Sequence, residues 1–278
     1  MVNKQHLIAL DLDGTLLTNK KEISPRTKQT IISAIEMGHI VVIATGRSNR
    51  TSIQYYKQLG LTTPMVNFNG ALVLHPKDKN WKIKHHPLDN KTALEIVDIC
   101  YELQTRNILA EVQENVYLDQ YDQQIIEIFQ ATLKDPSPFT IGKIKEKLKD
   151  HPTSILIHPN EANIDQLVDY IRENLAEVID HRQWGPPWHM IEIVKKGINK
   201  AVGLKKVAQF YNIPKERIIA FGDQNNDLEM IDYAGVGVAM GNAIQELKSV
   251  AKHETSSNED HGVSVFLEDY LQIKTKVV

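Results

Sequence analysis

One cysteine, Cys100, occurs in 278 residues, so no intrachain disulfide can form. The chain also lacks a basic surplus: 32 Lys and Arg stand against 35 Asp and Glu, for a net charge of −3. A nucleic-acid binder normally carries the opposite balance, so that class is set aside. No apolar run approaches the roughly 18 residues that a membrane span needs. Asp11 and Asp13 interrupt the only early apolar stretch, and no basic lead-in with an apolar core opens the chain. A cytoplasmic protein with no membrane partner is therefore expected. Repeats, low-complexity tracts and long runs of one charge are missing too. What remains is ordinary globular composition, 42% hydrophobic and 24% charged, enough for one large domain or two smaller ones. Cys100 keeps helical company with Ile96, Val97, Ile99 and Leu103 and is read as core.

The stretch LIALDLDGTLLT (7–18) is the first informative one. Four apolar residues bounded by a turn signal read as a strand covered on both faces. It breaks into Asp11-Leu12-Asp13-Gly14. If the extended geometry persists, Asp11 and Asp13 share a side, where two carboxylates raise each other's pKa unless a positive group lies near.

Alternation of strand and helix follows. Ser24-Pro25 reads as an N-cap with proline at N1, opening a helix that ends at Gly38. Ile40 to Ala44 is a second buried strand, stopping at Thr45-Gly46-Arg47. Ser48 opens another helix, and PMVNFNGALVL (64–74) gives a short strand and a turn at Asn69-Gly70. From about Trp81 the texture changes to an α+β pattern: a helix near 90–104, a hairpin around Glu114-Asn115, a strand in TSILIHP (153–159), and an amphipathic helix with Ile164, Leu167, Val168 and Ile171 on one stripe. EVIDHRQW (177–184) and HMIEIVKK (189–196) follow as strands. Alternation then resumes: a helix from Lys200, the strand RIIAFGD (217–223), a helix in NNDLEMIDYA (225–234), the strand GVGVAM (235–240) and a final helix in GVSVFLEDYL (262–271). The expected fold is α/β, a doubly wound, mostly parallel, Rossmann-like core of residues 1–82 and 191–278. An α+β cap domain of residues 83–190 is inserted into it.

Three strand ends carry polar groups: Asp11/Asp13, Thr45-Gly46-Arg47, and Asp223 with Asn226 and Asp227 just beyond. In one parallel sheet such ends lie along the same edge, where open α/β folds place ligands. Four carboxylates cannot take an anionic phosphate without a cation, and Mg²⁺ suits an oxygen-only set. An aspartate can then attack phosphorus, and a second can protonate the leaving oxygen and later activate water. Thr45 offers a hydroxyl, Gly46 an N–H, and Lys200 a positive charge for the developing anion.

DLDGT (11–15), ATGR (44–47), Lys200 and GDQNND (222–227) resemble, in order and spacing, the four motifs of the haloacid dehalogenase (HAD) superfamily. NFNGALV (67–73), the large insertion and TSSNEDHGVSVFLE (255–268) are similar to its Cof-type phosphatases, which carry a C2-type (C2B-like) α+β cap. The resemblance spans essentially the whole chain. It implies Asp11 as nucleophile and Asp13 as general acid/base. It implies Mg²⁺ held by the Asp11 carboxylate, the Asp13 backbone carbonyl and Asp223, with Asp227 in support. Leu12, Thr45, Gly46, Arg47, Lys200 and Asn226 would bind the phosphate of a small phosphomonoester, such as a sugar phosphate. Ala201 departs from the glycine that relatives usually place after the lysine, and it suits a helix start.

Other features are given plainer readings. Lys196, before Gly197, competes with Lys200 for the motif lysine but sits in the return linker. His85 and His86 are adjacent on a strand, so they point apart and read as a solvated pair. In WGPPWHM (184–190), Trp188 and His189 are weighed as substrate contacts against a packed hairpin. Gly197 and its lysine neighbours are read as hinge material for a lid that closes over the core. The alternatives are a phosphomutase of the same superfamily, such as a phosphomannomutase, and a phosphosugar-binding protein without turnover. Two intact acids argue against the last.

Overall fold

The computed structural model describes residues 5–130, 139–184 and 189–273. The chain divides into two compact units, residues 1–47, 52–83 and 199–278 in one, 48–51 and 84–198 in the other. Along the chain, the first unit begins with β1 (Leu7–Leu10), α1 (Pro25–Glu36), β2 (Ile40–Ile43), α2 (Asn49–Gln58), whose opening turn clusters with the second unit, β3 (Met65–Asn67) and β4 (Leu72–Leu74). The second unit holds β5 (Lys84–His85), α3 (Asn90–Glu102), β6 (Asn107–Val112), β7 (Asn115–Leu118), α4 (Gln123–Gln130), β8 (Phe139–Ile141), α5 (Ile144–Lys147), β9 (Ser154–His158), α6 (Ile164–Asn174), β10 (Ile179–Gln183) and β11 (Ile191–Lys195). The first unit resumes with α7 (Lys200–Phe210), β12 (Ile218–Gly222), α8 (Leu228–Tyr233), β13 (Val236–Ala239), α9 (Gln245–Val250), β14 (His253–Glu254) and α10 (Gly262–Tyr270).

The five-stranded sheet of the first unit has the order β14-β13-β12-β1-β2, and every pairing in it is parallel. Both faces are covered, which is why β1, β2 and β12 read as unbroken apolar runs. On one face Ile8, Leu10, Ile43 and Phe221 pack with Ile31 of α1, Tyr56 of α2 and Leu267 of α10. On the other Leu7, Ala9, Val42 and Ala220 pack with Leu204 and Val207 of α7 and Ile231 of α8. α1 starts as its sequence dictates: Ser24 Oγ accepts from Thr27 N at 3.2 Å, and Pro25 follows at the first helical position. The chain leaves β1 for β2 on one side and reaches β12 on the other, so strand order reverses at β1. That reversal opens a crevice beyond the carboxyl ends of β1 and β12.

The second unit is a six-stranded sheet in the order β10-β11-β9-β6-β7-β8, antiparallel except for β7 with β8. Ile108, Ile155, Ile157 and Ile193 turn one face toward α3 and α6, and Leu109, Leu118 and Leu156 turn the other toward Ile125 of α4. β11 pairs with both β9 and β10, so residues 191–198 sit in this unit, whereas the sequence reading gave residues from 191 onward to the core. β8, α5, α9 and β14 are too short to show a period and do not stand out in the sequence, whereas α4 carries a clear apolar stripe that the sequence reading does not include. Cys100 is buried on α3, and burial pushes its thiol up to about 12, so it is chemically quiet. Among the described residues, no helix is long and apolar enough to cross a membrane.

Candidate active site

β1 ends at Leu10, and Asp11 extends its ladder by one bond, Asp11 N to Phe221 O at 3.2 Å. The chain then turns. Leu12 puts its side chain into the core, and its carbonyl accepts from Thr15 N and Leu17 N at 3.3 and 2.8 Å. Gly14 takes φ +76°, and a Cβ there would lie 2.3 Å from Asp223 Oδ2, so no side chain fits. The turn brings Thr15 to Asp223, its hydroxyl donating to Oδ1 at 2.9 Å across 208 residues.

Asp11, Asp223 and Asp227, all buried, each present a carboxylate oxygen within 4.8 Å of the others. Lys200, wholly buried at the first position of α7, donates from Nζ to Asp11 Oδ1 at 2.6 Å and to Asp227 Oδ1 at 2.7 Å. Asn199 caps that helix, its side chain accepting from Val202 N at 3.2 Å. Asp227 Oδ2 accepts from Asp223 N at 3.0 Å and Gln224 N at 3.2 Å, so both its oxygens are engaged.

Three carboxylates with one ammonium leave a surplus of negative charge in a buried place. Burial would lower the Lys200 ammonium, but Asp11 and Asp227 outweigh it and hold the group protonated well above its ordinary value. Burial, opposed by Lys200 and reinforced by Asp227 and Asp223, pushes Asp11 well above the carboxylate range. Burial and the neighbouring Asp227 lift Asp223 to about 6. Such a cluster relaxes by taking up protons or a cation. The donor set is all oxygen and suits a hard divalent ion, so these residues fit Mg²⁺.

Asp13 does not join that cluster. Arg47 grips it through Nε to Oδ2 and Nη2 to Oδ1, both at 2.6 Å, and Lys21 Nζ adds a 2.7 Å bond to Oδ1. Burial opposes ionisation here, but Arg47 and Lys21 outweigh it and bring the carboxyl down to about 2. Extended geometry stops at Leu10, which is why the two acids meet different cations and not one another. Arg47, expected to bind phosphate, is committed to Asp13, and the Tyr55 ring lies 5.5 Å beneath its guanidinium. Tyr55 also donates its hydroxyl to the Lys21 backbone carbonyl at 3.0 Å.

Thr45, at the end of β2, is buried, and its hydroxyl accepts from Arg47 N at 3.1 Å. Asn226 donates from Nδ2 to Asn69 Oδ1 at 3.0 Å. Asn69 also lies against Gly46, whose missing Cβ would stand 3.2 Å from its amide nitrogen. The sequence-selected residues Asp11, Asp223, Asp227 and Lys200 thus touch directly. Gly46 and Asn226 meet through Asn69, and Thr45 and Asp13 through Arg47. Sequence reasoning missed Thr15, Lys21 and Asn69 as site residues. The Thr of DGT and the Asn-Gly of NFNG were visible, but nothing in the spacing said what they would touch. Lys196 pairs with Asp180 at 3.1 Å in the second unit, and His85 Nε2 lies 2.9 Å from Thr153 Oγ1. His189 is exposed with φ +43°, and Trp188 lies outside the described residues.

Comparison with known proteins places the chain in a family and a fold. The family model for haloacid dehalogenase-like hydrolases matches residues 8–267. The 5-amino-6-(5-phospho-D-ribitylamino)uracil phosphatase YitU of Bacillus subtilis is 47% identical over 273 residues, 98% of this chain and 100% of that one. The pyridoxal phosphate phosphatase YbhA of Escherichia coli is 27% identical over 270 residues, 95% of this chain and 98% of that one. Among solved structures, TM0651 of Thermotoga maritima superposes with a TM-score of 0.82 at 27% identity, covering 98% of this chain and 99% of its own. A haloacid dehalogenase-like hydrolase of Bacteroides thetaiotaomicron gives 0.82 at 26%, covering 96% and 100%.

Proposed function

This chain belongs to the haloacid dehalogenase-like hydrolases and is a phosphatase of that family, and from that premise we propose a Mg²⁺-dependent hydrolysis of small phosphomonoesters through an aspartyl-phosphate. The observation that carries the proposal is the Asp11 carboxylate, buried at the switch point of the sheet and held by Lys200 beside Asp223 and Asp227. Asp11, Asp223 and the Asp13 backbone carbonyl would hold Mg²⁺, with Asp227 fixing Lys200 and the 223–224 turn. Bound there, the ion would offset the surplus charge and polarise phosphoryl oxygens.

In the first half an Asp11 oxygen bonds to phosphorus while the bond from phosphorus to the ester oxygen breaks. That oxygen leaves as an alcohol with a proton from Asp13. In the second half a water gives a proton to Asp13 and attacks phosphorus. The bond to Asp11 breaks and inorganic phosphate departs. Lys200, the Thr45 hydroxyl, the Leu12 and Gly46 backbone and the Asn226 amide would hold the phosphoryl oxygens. Gripped by Arg47 and Lys21, Asp13 is ionised, the form that suits the water step. Its acid step requires that grip to open and the carboxyl to take up a proton.

For the substrate, 5-amino-6-(5-phospho-D-ribitylamino)uracil is the first candidate, because the relative named for it is 47% identical along nearly the whole chain. The second unit would select the leaving group, and the enzyme would work in the cytoplasm. The test is phosphate release from that compound, pyridoxal phosphate and a panel of sugar phosphates, with Mg²⁺ and with excess chelator. Acid quenching checks for a phosphoenzyme. Full turnover in chelator would overturn the metal assignment, and isomerised hexose phosphate in place of free phosphate would make the protein a mutase.

A further inference from the structure

The loop between β3 and β4 takes a backbone path that its sequence does not favour. Phe68, Asn69 and Gly70 follow one another at φ +48°, +51° and +95°. Asparagine and glycine tolerate the left-handed region, but phenylalanine does not, and three such residues in a row persist only where the surroundings impose them. Strain of this kind gathers at functional sites, so the contacts it secures are the question.

They are contacts with the three chain segments that form the phosphoryl end of the site. Asn69 N donates to Thr45 O and Phe68 N to Arg47 O, each at 3.1 Å, and Asn67 Nδ2 donates to Arg47 O at 3.0 Å. Gly70 lies so close to the start of α7 that a Cβ would come within 2.1 Å of Asn199 O, next to Lys200. Between them the Asn69 side chain, 1% exposed, accepts from Asn226 Nδ2 at 3.0 Å and lies against Gly46. Resting on the reaction described above, we infer that Asn69 is a positioning residue of the phosphoryl site, holding the Asn226 amide and the Thr45–Gly46 loop in register. An amide needs partners on both its ends, and a buried one swings to find them. With its carbonyl accepting from Asn226, Asn69 fixes which way the Asn226 amide faces and leaves that amide's second hydrogen for a phosphoryl oxygen. Asn69 acts through Asn226 and Gly46 and touches no reacting atom.

Asn69→Gly is the decisive variant. It removes the amide but keeps a backbone that glycine adopts freely at φ +51°, so the thermal midpoint should stay within a few degrees of wild type. kcat/KM should fall by about 10- to 100-fold, to a similar degree for every phosphate ester, since small misplacements of a positioned group cost rates of this order. The affinity for inorganic phosphate with Mg²⁺, read by calorimetry, should weaken as well. In the Asn69→Gly/Asn226→Ala double variant the loss should be no greater than in the worse single, because the two side chains act as one unit. Asn69→Asp, which keeps the size and the left-handed tolerance but sets a carboxylate beside the phosphoryl oxygens, should lose at least as much and carries the test if the glycine variant is unstable. Asn69→Gly within twofold of wild type in both kcat/KM and phosphate affinity, or losses that multiply in the double variant, would overturn the assignment. A wild type that turns over no ester would sink the reaction proposed above. Phosphate affinity would still decide for Asn69, its loss supporting the role and its retention ending it.

Discussion

In the first unit Asp11, Asp223 and Asp227 are buried together with one ammonium, Lys200. In the second unit the buried acids Glu111, Asp119 and Glu192 lie apart from one another, each with partners of its own. Glu111 of β6 pairs with Arg50, Asp119 accepts from the Tyr101 hydroxyl and from Ile144 N, and Glu192 of β11 accepts from Trp184 Nε1. The two arrangements have opposite energetics. A matched buried charge is neutral to the fold only while both partners remain. A surplus of like charge works against the fold, and its retention marks a place that must take up something positive. The surplus lies at the sheet edge where strand order reverses, and the partnered acids lie in a unit in which the sequence showed no motif.

The sharpest way to break that contrast is to neutralise one charge in each unit. Asp11→Asn should cut phosphate release by at least about 10³-fold, since it removes the attacking group. Its thermal midpoint should equal or exceed that of wild type, because one of three crowded carboxylates is gone while Lys200 keeps Asp227. A marked loss of stability in Asp11→Asn would end the surplus-charge account. Glu111→Ala should do the reverse to stability. It strands Arg50, whose side chain is 5% exposed, and should cost about 3–5 kcal/mol in urea unfolding. Replacing Arg50 and Glu111 together with Met and Leu should recover most of that loss. A Glu111→Ala protein with wild-type stability would show that the pair is not matched in the sense argued.

The third and smallest effect sharpens the contrast through pH. A free aspartate titrates near 3.9, and Asp223 in the metal-free fold titrates at about 6. A raised carboxyl favours the fold while it is protonated. Its contribution is whole below about 3.9 and is lost as pH rises through about 6. The metal-free protein should therefore lose a few degrees of thermal midpoint between pH 4 and pH 7 from this carboxyl, beyond what Asp223→Asn loses. Mg²⁺ needs the ionised carboxylates, so its stabilising effect should grow across the same window. Thermal scans at pH 5, 6 and 7.5 with MgCl₂ or chelator check both statements. A Mg²⁺ effect that is flat with pH would contradict them.

Local pattern specifies the alternation of strand and helix around an insertion, because covered parallel strands must be apolar throughout and their acids stand out where they stop. It determined that Asp11, Thr45 and Asp223 lie at strand ends, since such boundaries are local. It determined the start of α1, because Ser24-Pro25 satisfies that terminus without outside help. Tertiary structure decided what each charge meets. Lys200 lies between Asp11 and Asp227 only because α7 starts where the two strand ends converge, 189 residues along the chain from Asp11. Asp13 belongs to Arg47 and Lys21 because the turn after Leu10 swings it off the line of the strand, and an i, i+2 argument holds only while the strand lasts. Asn69 joins the site because packing against Thr45, Asn199 and Asn226 holds its turn in a conformation that Phe68 resists. The partners of the buried acids in the second unit come from other elements of the fold, and no local pattern encodes them. Short-range periodicity selects elements and their ends, whereas the partner of a buried polar group is set by topology, which brings distant segments to one edge.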